Sequence, residues 1–123
     1  MKTTPKQIII YRTEQGNEPF TTWFDALKDK PTQARIDARL TRVEAGNLGD
    51  YKSVGDGVFE LRVHVGKGFR LYFGNIGNAI VVLLSGGTKE QQSADIARAQ
   101  DFWRDYQIRN NHAQTSKEKE GKK

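Results

Sequence analysis

Residues 58–73, VFELRVHVGKGFRLYF, alternate apolar and polar side chains on either side of the triplet Gly66-Lys67-Gly68. Strict alternation is typical of half-buried strands, and a short glycine-containing connection between two such runs predicts an antiparallel hairpin. A turn centred on Lys67 predicts three facing pairs, with Phe59 extending their apolar face: Val65 with Phe69, Val63 with Leu71, and Leu61 with Phe73.

The polar residues of this hairpin are expected to share the opposite face of the sheet, because side chains alternate across a strand. They are Glu60, Arg62, His64, Arg70 and Tyr72. Planar guanidinium groups suit bidentate phosphate binding, and a tyrosine ring can stack on a base of single-stranded RNA. The same residues also fit a solvated face on which Arg and Glu only pair across strands. Spacing alone leaves both interpretations open.

The chain before the hairpin predicts a strand followed by two helices. Residues 7–13 (QIIIYRT) are apolar and β-branched, which is typical of a buried strand. Apolar residues at helical spacing predict one helix over residues 19–28 and a second over residues 32–45, ending at Gly46. We expect the two to form an antiparallel helical hairpin that covers one sheet face, and residues 47–57 to form a loop.

The chain after the hairpin predicts a central strand and a last helix. Residues 79–84 (AIVVLL) are apolar without interruption, as expected of a strand covered on both faces. A helix from about residue 90 or 93 to residue 109 is expected to dock through Trp103, whereas the Lys/Glu-rich residues 110–123 predict disorder. The sequence therefore predicts an α+β domain over residues 1–109, with an antiparallel sheet of three to four strands after the N-terminal strand and helical hairpin, and a basic tail over residues 110–123.

Composition excludes several classes of protein. A chain of 123 residues without cysteine is expected to form one domain without disulfides or thiolate metal sites. It carries no apolar run long enough for a membrane span, so we expect a cytoplasmic protein. The segment Gly86-Gly87-Thr88-Lys89 lacks the spacing of a nucleotide-binding loop, and two distant histidines predict no metal cage. We expect no cofactor.

The net charge of +5 suggests a polyanionic partner. Lys67 and Lys89 flank the ends of the hairpin and of the central strand, where they are placed to contact nucleic acid. Arg39 lies on a helical stripe with Arg35 and Arg42 and is a further RNA-binding candidate. A modest excess of basic residues also serves solubility alone, and helical arginines are commonly just solvated.

Three segments together resemble a known family. They are FELR at residues 59–62, GFRLYF at residues 68–73, and LLSGGTK at residues 83–89 followed by Gln92, Asp95, Ile96 and Ala99. The chain resembles the RelE/ParE toxin superfamily, and more narrowly its phage-derived, HigB-type branch of addiction-module killer proteins. The resemblance covers about residues 7–109. It implies the same order of strand, helical hairpin, antiparallel sheet and C-terminal helix.

The resemblance also implies a function and partners. It implies the toxin of a type II toxin–antitoxin system, which cleaves mRNA on the ribosome. A cognate antitoxin of the helix-turn-helix type would neutralise this toxin. Arg70 corresponds to the arginine that contacts the scissile phosphate, Arg62 to the arginine of the ELR motif, and Lys89 to a basic position of the family. In metal-independent cleavage these cations would offset phosphate charge, while Glu60 or His64 would take the proton of the 2′-hydroxyl.

Two other functions remain open at this point. Like the ParE branch, the chain would act without catalysis by binding DNA gyrase. Alternatively, it would be a non-toxic binding module that retains its partner. Mapping RNA 5′ ends after induction separates the endoribonuclease from the gyrase-binding toxin, because a gyrase poison damages DNA and leaves no codon-linked RNA breaks.

Overall fold

The computed structural model describes the backbone of residues 4–121 and the side chains of residues 4–110. An α+β arrangement is observed, in which two helices lie between the first and second strands and a long helix follows the last strand. The elements are β1 Gln7–Ile10, α1 Pro19–Ala26, α2 Lys30–Glu44, β2 Tyr51–Gly55, β3 Val58–Val63, β4 Phe69–Ile76, β5 Ile80–Thr88, a 3₁₀ turn Lys89–Gln91 and α3 Gln92–Gly121.

The strands form one mixed sheet in the order β1-β5-β4-β3-β2. Strands β3 to β5 pair antiparallel, as predicted; β2 adds a further antiparallel strand beside β3, and β1 adds a parallel edge strand beside β5. The pairing of β1 ends early, with Ile10 beside Leu83 and the Tyr11 amide donating to the Leu83 carbonyl. The last five residues of β5, residues 84–88, consequently extend beyond β1.

Apolar side chains pack on both faces of the sheet. Helices α1 and α2 cover one face with residues such as Phe20 and Ile36, and α3 covers the other with Ala99 and Trp103. Strand β5 contributes to both cores, Val81 and Leu83 to the first and Val82 and Leu84 to the second. The predictions that this strand is covered on both faces and that Trp103 docks the last helix are confirmed.

The predicted register of the hairpin is wrong by two residues. Val63 faces Phe69, Leu61 faces Leu71 and Phe59 faces Phe73. The cause is a longer connection, because β3 ends at Val63 and residues 64–68 form a loop in which Gly66 and Gly68 adopt positive φ angles of 54° and 89°. A shift of two residues preserves the alternation, so both predicted faces survive it.

Two segments differ from the sequence prediction. Residues 51–55, predicted as loop, form the edge strand β2, which turns into β3 through Gly55, Asp56 and Gly57, all with positive φ. The backbone of α3 continues to Gly121, past the predicted end near Arg109. The side chains of residues 111–123 lie outside the described residues, and the disordered tail stays a prediction. No helix in the described part of the chain is both long and apolar enough to cross a membrane.

Candidate functional site

A buried carboxylate lies between two arginines on the sheet face that carries α3. Arg62 and Arg70 face each other across β3 and β4, so their side chains share this face, as the alternation predicted. Each arginine places its Nε atom 3.6 Å from a Glu60 carboxylate oxygen. A distance of 3.6 Å is typical of an ion pair and too long for a hydrogen bond. Glu60 Oε1 and the two Nε atoms are buried and have no hydrogen-bond partner among the described residues.

The Glu60 carboxylate is held from its other side by two neutral side chains. Gln92, at the start of α3, donates from Nε2 to Glu60 Oε2 over 2.7 Å, and the Tyr72 hydroxyl donates to the same oxygen over 3.3 Å. Burial, together with the charge of Glu60, raises the pKa of Tyr72 above its ordinary range. The hydrogen bonds from Tyr72 and Gln92 hold the carboxylate of Glu60 in place, so Glu60 is a rigid support for the two arginines.

The accessible parts of these arginines line a small depression of about 180 Å³. Because the Nε side of each guanidinium faces Glu60, its two Nη groups are left to other acceptors, and they make no hydrogen bond to the described residues. A planar fork of this kind is suited to phosphate oxygens. Five of the predicted site residues line the depression: Arg62, His64, Lys67, Arg70 and Lys89.

An imidazole at the rim of this depression is paired with a carboxylate. His64 follows β3 and is largely exposed, and its Nε2 lies 2.7 Å from Asp50 Oδ2. This hydrogen bond holds the pKa of Asp50 below its ordinary value. A carboxylate partner orients an imidazole, which is the arrangement that a general base or acid requires.

Three predicted site residues lie in positions that differ from the expectation. The ring of Tyr72 is fully buried, so the prediction that it stacks on an RNA base is wrong. Arg39 is also buried and donates to the backbone carbonyls of Leu48 and Arg62, so it braces the loop before β2 instead of contacting RNA. The carboxylate of Glu60 is 0% exposed, which places it in a supporting position beneath the arginines.

The sequence prediction missed two residues of this site. Gln92 belonged to the segment that carried the family resemblance, but nothing in its spacing indicated that it would reach Glu60, 32 residues away. Asp50 lies in a stretch predicted only as a loop, and its contact with His64 depends on β2 folding back beside β3. Both contacts join elements that are distant in sequence, so local patterns do not reveal them.

Comparison with known proteins finds a clear relative. The chain is 46% identical over 80 residues to a protein of Haemophilus influenzae that carries the name "Uncharacterized protein", and the aligned region covers 65% of this chain and 81% of that protein. This chain belongs to the family of the Haemophilus influenzae protein. No family model matches the chain. Membership in this family assigns no activity, so the function is argued from the geometry of the site.

Proposed function

We propose that this chain is the toxin of a type II toxin–antitoxin system, similar to the RelE/ParE superfamily, and that it is a metal-independent endoribonuclease acting on mRNA at the ribosome. One observation carries the proposal, namely the gathering of Arg62, Arg70, Lys67 and Lys89 with His64 around one depression. The proposed cellular location is the cytoplasm. The proposed partners are the ribosome, mRNA and a helix-turn-helix antitoxin.

The chemistry of these groups supports RNA cleavage by attack of the 2′-hydroxyl on the neighbouring phosphate. His64, oriented by Asp50, takes the proton of the hydroxyl as the oxygen forms its bond to phosphorus. Arg62 and Arg70 offset the negative charge that grows on the phosphate oxygens. The bond to the 5′-oxygen of the next nucleotide breaks, and a proton from an acid or from water completes the leaving hydroxyl. The other product ends in a 2′,3′-cyclic phosphate.

The experiment is induction of the gene in cells with measurement of protein synthesis and mapping of RNA 5′ ends. Arg70→Ala is a poor test, because it would leave the buried Glu60 with one arginine partner and would destabilise the fold. Arg70→Lys retains the charge and removes the planar fork, and Lys89→Ala removes an exposed cation. We expect both to reduce RNA cleavage by about 10-fold or more. Lys30→Ala, an exposed lysine on α2, is the matched control.

The results separate this proposal from the gyrase alternative. Codon-linked 5′ ends that weaken in both variants and persist in the control support the endoribonuclease. Growth arrest with DNA damage and no new RNA ends would support a gyrase-binding toxin instead. The burial of Glu60 gives the gyrase alternative some support, because it removes one of the two predicted candidates for the base. His64 is the predicted candidate that is accessible. Harmless overexpression would contradict both.

A further inference from the structure

A larger cleft of about 700 Å³ lies at the end of β5, where that strand extends beyond β1. Its floor is the segment Ser85–Thr88, which pairs with β4 on one side and has no strand partner among the described residues on the other. A volume of this size is in the range of sites that bind small molecules, about 300 to 1,000 Å³. No residue of the proposed catalytic depression lines it.

Two glycines allow side chains to lie directly against this floor. A methyl group at Gly86 would overlap the ring of Trp23, and a methyl group at Gly87 would overlap the Asp95 carboxylate. Because glycine has no such group, an aromatic ring and a carboxylate both approach the strand backbone closely. Because consecutive residues of a strand face opposite sides of the sheet, Trp23 from α1 and Asp95 from α3 flank the two faces of the same short, open strand edge.

The lining of the cleft combines flat apolar surface with a donor and acceptor pair. Trp23 and Phe102 supply aromatic rings, and Arg98 donates to Asp95 Oδ1 over 2.9 Å. Asp95 is 7% exposed, so its carboxylate is held in place. Ser85 also lines the cleft, and its buried Oγ has no hydrogen-bond partner among the described residues. A buried hydroxyl without a partner is an uncommon feature of a folded protein.

We propose that this cleft binds one unpaired nucleobase. A base offers a flat ring for the aromatic walls, and its polar edge presents both hydrogen-bond donors and acceptors. Asp95 accepts from an exocyclic amino group, and Arg98 donates to a neighbouring ring nitrogen or carbonyl oxygen. Adenine, guanine and cytosine each present a donor beside an acceptor. Uracil has no exocyclic amino group, and it would donate to the carboxylate from its N3–H, which lies beside carbonyl acceptors.

Residues that line the cleft are neighbours of residues that line the basic depression. Gly87, on the floor of the cleft, is the cross-strand partner of Arg70, and Thr88 of the cleft precedes Lys89 of the depression. We infer from this adjacency that one RNA strand would place a base in the cleft and a neighbouring phosphate on the arginines. That the base belongs to an RNA strand rests on the proposed function. A free nucleotide carries the same chemistry, and the experiment separates the two sources.

The test measures binding of a fluorescently labelled single-stranded RNA of about eight nucleotides by anisotropy. Each position is replaced in turn by an abasic nucleotide, which keeps the phosphate and removes the base. We expect the abasic residue to weaken binding about 10-fold at one position, as base–aromatic stacking implies. Nucleoside monophosphates are titrated in parallel, with tryptophan emission as the signal and Trp23→Phe as the variant that reduces it.

Arg98→Gln is the discriminating variant, and Arg104→Gln is its matched control. Both arginines are more than half exposed on α3, and each pairs with an aspartate three residues earlier. We expect Arg98→Gln to weaken binding of the intact RNA about fivefold and to reduce the weakening caused by the abasic nucleotide from about 10-fold to about twofold. We expect Arg104→Gln to change neither quantity.

The outcomes distinguish the two proposals. If intact RNA binds through Arg70 and every abasic RNA binds equally well, the nucleobase site is refuted and the proposed function stands. If nucleoside monophosphates bind in an Arg98-dependent way while no RNA ends appear in cells, the nucleobase site is supported and the proposed function fails. If neither probe binds, the nucleobase site is refuted.

Discussion

Replacing Glu60 by glutamine tests the central electrostatic feature of this structure. The substitution keeps the size of the side chain and removes the one buried charge between Arg62 and Arg70. At 3.6 Å and an effective dielectric constant of about 20, each arginine gains roughly 5 kcal/mol of gross attraction from the carboxylate. Most of this gain is offset by the desolvation of the charges, and the exposed part of Arg62 is screened by water.

The net loss is consequently smaller than the gross attraction. Breaking a buried ion pair by removing one partner costs about 3 to 5 kcal/mol. Here Arg62 retains 37% side-chain exposure and Arg70 retains 13%, so both regain some hydration. We expect Glu60→Gln to lower the free energy of unfolding by about 2 to 4 kcal/mol, a value reduced for that hydration.

Urea unfolding followed by tryptophan fluorescence measures this loss, and a double-mutant cycle assigns it. In the cycle, Glu60→Gln is combined with Arg70→Gln and, separately, with Arg62→Gln. We expect a coupling of at least about 1 kcal/mol for the more buried Arg70 and a smaller one for Arg62. Effects that add within about 0.5 kcal/mol for both pairs would refute the ion-pair argument. An unchanged dependence of the unfolding free energy on urea would confirm that the folded state remains intact in the variants.

Other consequences concern packing and pH. Gly87→Ala should lower stability by about 1 to 3 kcal/mol in urea unfolding, because the added methyl overlaps the Asp95 carboxylate. Arg39→Ala should cost about 2 to 3 kcal/mol by leaving two backbone carbonyls unpaired, whereas the exposed Arg42→Ala should stay within about 0.5 kcal/mol. Burial raises the pKa of Tyr11 to about 12. Because the pKa of Tyr11 is higher in the folded state than in the unfolded state, the folded state favours the neutral phenol. The stability that the neutral phenol of Tyr11 contributes is complete below about pH 10 and is lost as pH rises to about 12. Urea unfolding across that range, with Tyr11→Phe as the control, measures it.

The sequence was sufficient to predict the shared face of the hairpin, for a simple physical reason. Side chains repeat every two residues in a strand, so Arg62 and Arg70 stay on one face even though the true register differs by two. The uninterrupted apolar run of β5 likewise identified a strand covered on both sides. In both cases a local periodicity carries the information, and a moderate error in a loop does not destroy it.

The burial of individual polar residues could not be predicted in this way. Glu60 and Tyr72 alternate correctly with their neighbours, but only the position of α3 determines that this part of the face is covered. Arg39 is next to an apolar helical stripe, and the carbonyls that accept from it belong to distant segments. The edge strand β2 was missed because YKSVG lacks clear alternation and is mostly exposed, so pairing with β3 determines its conformation.

The position of Glu60 explains how a sheet can present two facing arginines at all. Like charges directly opposite each other on neighbouring strands repel, and Arg62 and Arg70 occupy such positions. A carboxylate beneath them removes the repulsion and turns both Nε groups inward, so the terminal Nη groups face the depression. Gln92 fixes the carboxylate to the first turn of α3. A movement of that turn would therefore change the spacing of both guanidinium groups, which couples the docking of α3 to the geometry of the depression.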